Sequence, residues 1–188
     1  MDSGKLVVGL AGMPGAGKSV VVNVAKANGY GIVVMGDEVR EEAKKRGLEP
    51  SPENLGRLML ELRRLEGEAV IAKRCILKIA GMAENKVIVD GIRSLAEVEE
   101  FKRNFPNFVL VAVHASPETR FKRLFHRRRS DDPKSWEVFH ERDMRELSVG
   151  LGNAIALAEY MVINEGSLNK VKKQAAQTLK RIEAKWMR

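Results

Sequence analysis

The 188-residue sequence predicts an α/β domain in which helices cover both faces of a five-stranded parallel sheet. Three observations lead there. Five short apolar runs alternate with helix-compatible segments, the pattern of strands buried on both faces and joined by helical crossovers. The first run leads into Gly12-Met13-Pro14-Gly15-Ala16-Gly17-Lys18-Ser19, which fits G-x-x-x-x-G-K-[ST] without a mismatch. A helix-compatible run, residues 20–27, follows it, completing the strand–loop–helix setting in which such a loop binds phosphate.

Taken in order, residues 5–10 form the first strand, and a helix spans about 17–28 until Asn28-Gly29 stops it. Residues 31–35 are the second strand, broken by Gly36-Asp37, and a helix over 37–46 ends at Gly47. Ser51 then offers an N-cap with Pro52 at the first helical position. Residues 53–80 read as one long helix or two abutting ones, with Leu55, Leu58, Met59, Leu62 and Leu65 at near-helical spacing and Gly56 and Gly67 as weak points. The third strand, 87–89, ends at Asp90-Gly91, and a helix covers 94–103. The fourth strand is 108–113. Helices over 117–128 and 134–146 flank an arginine cluster and the Asp131-Asp132-Pro133 break. A loop at 150–152, a short helix over 153–158 and the fifth strand at 160–163 follow. Residues 167–186 close the chain as an amphipathic helix with Leu168, Val171, Ala175, Leu179 and Ile182 on one face.

Repeats, low-complexity segments and linkers are absent from the sequence, so one domain over 1–188 is expected. Hydrophobic residues at 44% suffice for a core, while 31% charged and 5% aromatic residues imply a helix-rich, charged surface. One cysteine, Cys75, excludes an intramolecular disulfide framework, and its helical setting predicts a packed thiol. The first apolar run is too short for a secretory h-region, and no run approaches the roughly 20 apolar residues of a bilayer span. A cytoplasmic protein with no membrane partner is expected. The net charge of +8 suits anionic ligands, nucleotides or nucleic acid.

In a parallel sheet, ligands gather at the carboxyl ends of the strands. After the first strand, the loop amides can surround phosphate, Lys18 can reach the β- and γ-phosphates, and Ser19 can give Mg²⁺ an oxygen. After the second strand, Asp37 and Arg40 lie one helical turn apart and can face one cleft, or serve only as a cap and a surface charge. After the third strand, Asp90 stands where a phosphate-loop protein places its second Mg²⁺ contact, usually through water. Beyond the fourth strand come Arg120, Arg123, Arg127, Arg128, Arg129, Arg142 and Arg145. Such arginines can form a solvated face or a nucleic-acid patch, or can close over a transferring phosphoryl group.

These segments resemble, in order, those of the nucleoside-monophosphate kinases, meaning adenylate kinases and relatives that include dephospho-coenzyme A kinases. Residues 12–18 are similar to the G-x-P-G-A-G-K loop, and Gly36-Asp37-x-x-Arg40 to the G-D-x-x-R that opens the acceptor-binding region. Asp90-Gly91-Ile92-Arg93 resembles D-G-F-P-R, one residue shorter. Arg123 with Arg127, then Arg129 with Asp131 and Asp132, and Arg142 resemble the two sides of a lid. Asn164-Glu165-Gly166 sits where the loop after the last strand packs near the donor base. An archaeal family of adenylate kinase-related phosphate-loop proteins is the nearest resemblance. It implies a phosphate-loop NTPase fold, a three-layer α/β/α arrangement with strand order 2-3-1-4-5. It also implies an acceptor-binding insertion at about 37–68 and a mobile, arginine-rich lid at about 117–148. One departure concerns the acceptor. Glu97 falls where the family has a glutamine that reads adenine, and a carboxylate only accepts hydrogen bonds. Glu97 therefore either reads a different acceptor or pairs with Arg93 one turn away.

The expected activity is Mg²⁺-dependent transfer of the γ-phosphoryl of ATP to a small-molecule acceptor, a nucleoside monophosphate first. Lys18 and the loop hold the donor, Ser19 and Asp90 the metal, and Arg40 and Arg93 the acceptor. Arg123, Arg127, Arg129 and Arg142 neutralise charge in the transition state. If the acceptor is a hydroxyl, as in dephospho-coenzyme A kinases, Asp37 is the candidate base. A nucleotide-binding ATPase acting on nucleic acid is the alternative from another class, against which stands the lack of aromatic stacking platforms.

Overall fold

A computed structural model describes residues 4–127 and 132–187. Five strands, β1 (Leu6–Ala11), β2 (Gly31–Val34), β3 (Lys86–Ile92), β4 (Phe108–His114) and β5 (Tyr160–Ile163), make one sheet ordered β2-β3-β1-β4-β5. Every pairing is parallel. The helices are α1 (Lys18–Ala27), α2 (Met35–Lys45), α3 (Pro52–Glu66), α4 (Val70–Ala80), α5 (Leu95–Asn104), α6 (Pro117–Arg127), α7 (Trp136–Ser148), α8 (Leu151–Ala156) and α9 (Leu168–Trp186). None of the described helices is long and apolar enough to cross a membrane.

Alternation along the strands builds two cores. Leu6, Val8, Leu10, Ile88, Val111 and Val113 face α1 and α9, where Val21, Ala25, Val171 and Leu179 meet them. Val7, Ala11, Val87, Val89 and Leu110 face the other side, against residues of α2 to α5 and α8 such as Val39, Leu62, Ile71 and Phe101. Side chains two residues apart share a face of a strand, so a fully apolar strand feeds both layers. Phe121 and Phe125 of α6 pack with Trp136 and Phe139 of α7 in a cluster of aromatic rings.

Of the two alternatives for 53–80 the structure has two helices, separated at Gly67, whose φ of 98° lies where L side chains are strained. Three details differ from expectation. β3 runs past Asp90 to Ile92, because a register shift against β1 lets the strand continue: Leu10 pairs Asp90 while Ala11 pairs Ile92. Helix α2 starts at Met35, two residues before the expected Asp37. α8 starts at Leu151 with Gly150 as its left-handed cap, so most of the expected 150–152 loop is helical.

Candidate functional site

The phosphate loop leaves the carboxyl end of β1 and enters α1. Gly15 (φ 80°) and Gly17 (φ 94°) both take left-handed backbone, which only glycine adopts without strain. Space forbids other residues as well: a Cβ on Gly17 would lie 2.1 Å from Asn164 Nδ2, and one on Gly15 would lie 2.8 Å from the Arg120 carbonyl. Met13, Pro14 and Ala16 complete the turn, and the Ala16 N–H donates to the Met13 carbonyl at 3.0 Å. Lys18 folds back and donates from Nζ to the Gly12 carbonyl at 2.6 Å. Burial pushes its ammonium below the ordinary range; Asp90 and Glu146 oppose that shift, while Arg93 and Arg142 add to it. Ser19 lies exposed in the first turn of α1.

Asp90 lies in β3, in register with Leu10 on one side and Val34 on the other. Its Oδ1 is buried without a hydrogen-bond partner. Burial raises its pKa, Lys18 and Arg93 pull it down, and Asp37 adds to the rise. Lys18 and Asp90 thus feel each other's charge at the carboxyl ends of β1 and β3, and Arg93 acts on both. The partnerless buried oxygen of Asp90 and the hydroxyl of Ser19 in the first turn of α1 are both oxygen donors, the chemistry that a hard divalent cation such as Mg²⁺ takes.

Asp37 and Arg40 form an exposed ion pair in the first turns of α2. Arg93 donates to both Glu146 oxygens, at 2.8 and 2.9 Å, which ties the end of β3 to α7. Glu97 is wholly buried, and its guanidinium partner is Arg63 rather than Arg93: Arg63 Nη2 meets Oε1 at 2.5 Å. Its Oε2 accepts the backbone N–H of Arg93 at 2.7 Å. Arg63, Arg93 and Glu97 border a pocket with Met35, Gly36, Val39, Met59, Ile71 and Gly91.

Across the loop, Arg123 donates to the carbonyl and Oδ1 of Asn164, at 2.9 and 3.0 Å, while its buried Nη1 has no partner. Asn164 in turn donates to the Ala16 carbonyl at 2.8 Å. Arg127 pairs with Asp132 at 2.5 Å. Arg128, Arg129 and Asp131 lie outside the described residues. Arg120, one of the seven arginines between 120 and 145, is 4% exposed. It grips Asp143 of α7 bidentately, at 2.8 and 2.5 Å, and donates to the Pro14 carbonyl at 3.2 Å. Arg63 escaped the sequence reading too. Its signal was present: it follows Leu55 and Met59 at four-residue steps, a charge on a buried stripe.

The sheet order and the glycine-rich loop between β1 and α1 together define a domain of the phosphate-loop NTPase fold. Residues 11–140 match the family described as AAA domain. A UPF0200 protein of Hyperthermus butylicus is 51% identical over 178 residues, which is 95% of each chain. The chain belongs to this AAA-domain family and to the UPF0200 proteins. Its fold is shared by a shikimate kinase from Acinetobacter baumannii in complex with shikimate (TM-score 0.61, 14% identity, 97% of this chain and 96% of that one). It is shared too by a gluconokinase from Sinorhizobium meliloti (TM-score 0.57, 18% identity, 97% and 95%).

Proposed function

We propose that this protein is a Mg²⁺-dependent phosphotransferase that moves the γ-phosphoryl of ATP to a small acceptor, a nucleoside monophosphate. The observation that carries the reading is the charge cluster at the strand ends. The loop and Lys18 stand on one side, and Arg93 with its neighbouring pocket stands within electrostatic reach. The loop amides and Lys18 bind the donor phosphates. Ser19 and Asp90 would hold Mg²⁺, which neutralises phosphate charge when bound. Arg40 and Arg93 hold the acceptor's phosphate in the region 37–68 and at the end of β3. Arg123, Arg127, Arg129 and Arg142, in the arginine-rich lid over 117–148, spread the charge that develops as the acceptor oxygen bonds phosphorus and the bond to ADP breaks. A phosphate acceptor is already a nucleophile, so Asp37 only orients it. The reading places the protein in the cytoplasm, acting on small molecules.

A second reading, close to dephospho-coenzyme A kinases, takes a hydroxyl acceptor with Asp37 as base. The place of Asp37 in the first turn of α2, next to the pocket-lining Gly36, favours it. Radiolabelled ATP and a panel of nucleoside monophosphates, dephospho-coenzyme A and other phosphorylated metabolites test both readings. Labelled nucleoside diphosphate is the expected product, and Lys18→Ala should lower turnover by at least about 100-fold. Retained turnover in that variant overturns the mechanism. Loss of transfer in Asp37→Asn selects the hydroxyl reading. ATP hydrolysis indifferent to every small acceptor and stimulated by RNA or DNA replaces both with a nucleic-acid-linked ATPase.

A further inference from the structure

Glu146 is a carboxylate near the strand ends to which the proposed transfer gives no task. It lies on α7, its side chain 13% exposed, and both its oxygens accept from one nitrogen of Arg93, Nη1, at 2.8 and 2.9 Å. Its charge also reaches Lys18, as do those of Arg93 and Arg142. Arg142 stands one helical turn before it on α7. A negative side chain therefore stands among cations that the phosphotransferase reading assigns to donor, acceptor and transition state. Phosphate brought to those cations is repelled by Glu146.

Two ion pairs of α7 are built differently. Asp143 meets Arg120 through two nitrogens, Nη1 and Nη2, and both side chains are buried. Glu146 meets Arg93 through one nitrogen, and the arginine side chain is 37% exposed. The two-nitrogen fork is the stronger geometry, and its burial makes either partner costly to strip. The Arg93 pair has neither property, and pairs open to solvent are worth little. A phosphate carries more oxygens and more charge than a carboxylate and can take the same guanidinium as a fork. The main chain under Arg93 is fixed separately: Glu97 accepts the Arg93 N–H at 2.7 Å and is itself held by Arg63. An exchange of partners at Arg93 is thus a matter of side chains.

We propose that Glu146 is an internal competitor for Arg93: it holds the guanidinium until the acceptor's phosphate displaces it, which an uncharged acceptor cannot do. This rests on the nucleoside-monophosphate reading above. Glu146 is thereby a specificity residue that sets how much negative charge an acceptor must bring. The same exchange undoes the tie between the end of β3 and α7, the helix that carries Arg142.

Calorimetric titration of the full chain and of Glu146→Gln with AMP, GMP, CMP and UMP, and with the nucleoside of the tightest binder, tests this. Glutamine keeps the size of the side chain and removes its charge. The variant should bind that monophosphate about 5-fold more tightly and its nucleoside no differently. Glu146→Ala, which removes the contact altogether, should show the same gain, so either variant decides the matter if the other does not fold. Monophosphate affinity that is unchanged or weakened makes Glu146 a structural tie; that overturns the inference and leaves the phosphotransferase reading standing. An equal gain for nucleoside and monophosphate reports a reshaped pocket and overturns the inference as well. Failure of every monophosphate to bind the unaltered protein and the variants overturns the nucleoside-monophosphate reading, and this inference with it.

Discussion

Cys75 packs into the core from the middle of α4 with no exposed surface, and burial pushes its thiol up from an ordinary 9.0 to about 12. Two consequences follow at this one residue. Alkylation of the native protein by iodoacetamide at pH 8 should be at least about 100-fold slower than in denaturant, because the reactive species is the thiolate. Between pH 9 and 12 the unfolded thiol loses its proton before the native one, so the native state binds more protons. The Cys75 contribution therefore makes stability fall as pH rises through that window, and Cys75→Ala should flatten this part of a urea-denaturation pH series. The packed thiol was legible from its helical surroundings. The loop residues 12–19 were legible because their chemistry is contiguous in the chain. Arg63 and Glu97 were not, because they are 34 residues apart and only the fold makes them a pair.

At the scale of elements, glycine position separates helices that periodicity runs together. Gly67 ends α3 with φ 98° and ψ 158°, a backbone region that is essentially reserved for glycine. Gly56 lies inside α3, where an added Cβ meets nothing within 4 Å. Gly67→Ala should therefore cost about 1–3 kcal/mol, whereas Gly56→Ala should gain about 0.5–1 kcal/mol. Thermal unfolding of the two variants checks both signs, and a shared sign would contradict the assignment of the break. The sequence marked both glycines as weak points, yet the spacing of Leu55, Leu58, Met59 and Leu62 could not choose between them. The third strand was read three residues too short at its end because Asp90 and Gly91 resemble a turn. The register shift against β1 that absorbs Gly91 is a property of the pairing, not of the local sequence.

Across the whole molecule, the alternation of apolar runs and helices predicted the layers, but nothing in any single run states which strand lies beside which. The order β2-β3-β1-β4-β5 was reached through resemblance to the nucleoside-monophosphate kinases and is the order found. Besides the two cores, buried ion pairs join distant segments. Arg120 and Asp143 fasten α6 to α7, and the Arg120 guanidinium rests 4.8 Å from the centre of the Phe139 ring. Removing one partner strands the other's charge, so Arg120→Met should lower unfolding stability by about 3–5 kcal/mol. The exposed pair Lys122–Glu118 supplies the control, and Lys122→Ala should change stability by less than about 1 kcal/mol. Chemical denaturation of both variants under one set of conditions makes the comparison.

The hydrogen bonds around the phosphate loop carry a thermodynamic consequence. Arg120 holds the Pro14 carbonyl, Asn164 holds that of Ala16, and Lys18 holds that of Gly12. These contacts tether the loop from β5's end, from α6 and from its own lysine before any phosphate arrives. The entropy of ordering the loop is lost during folding rather than during binding, so little of a ligand's interaction energy is diverted to shaping its own cradle.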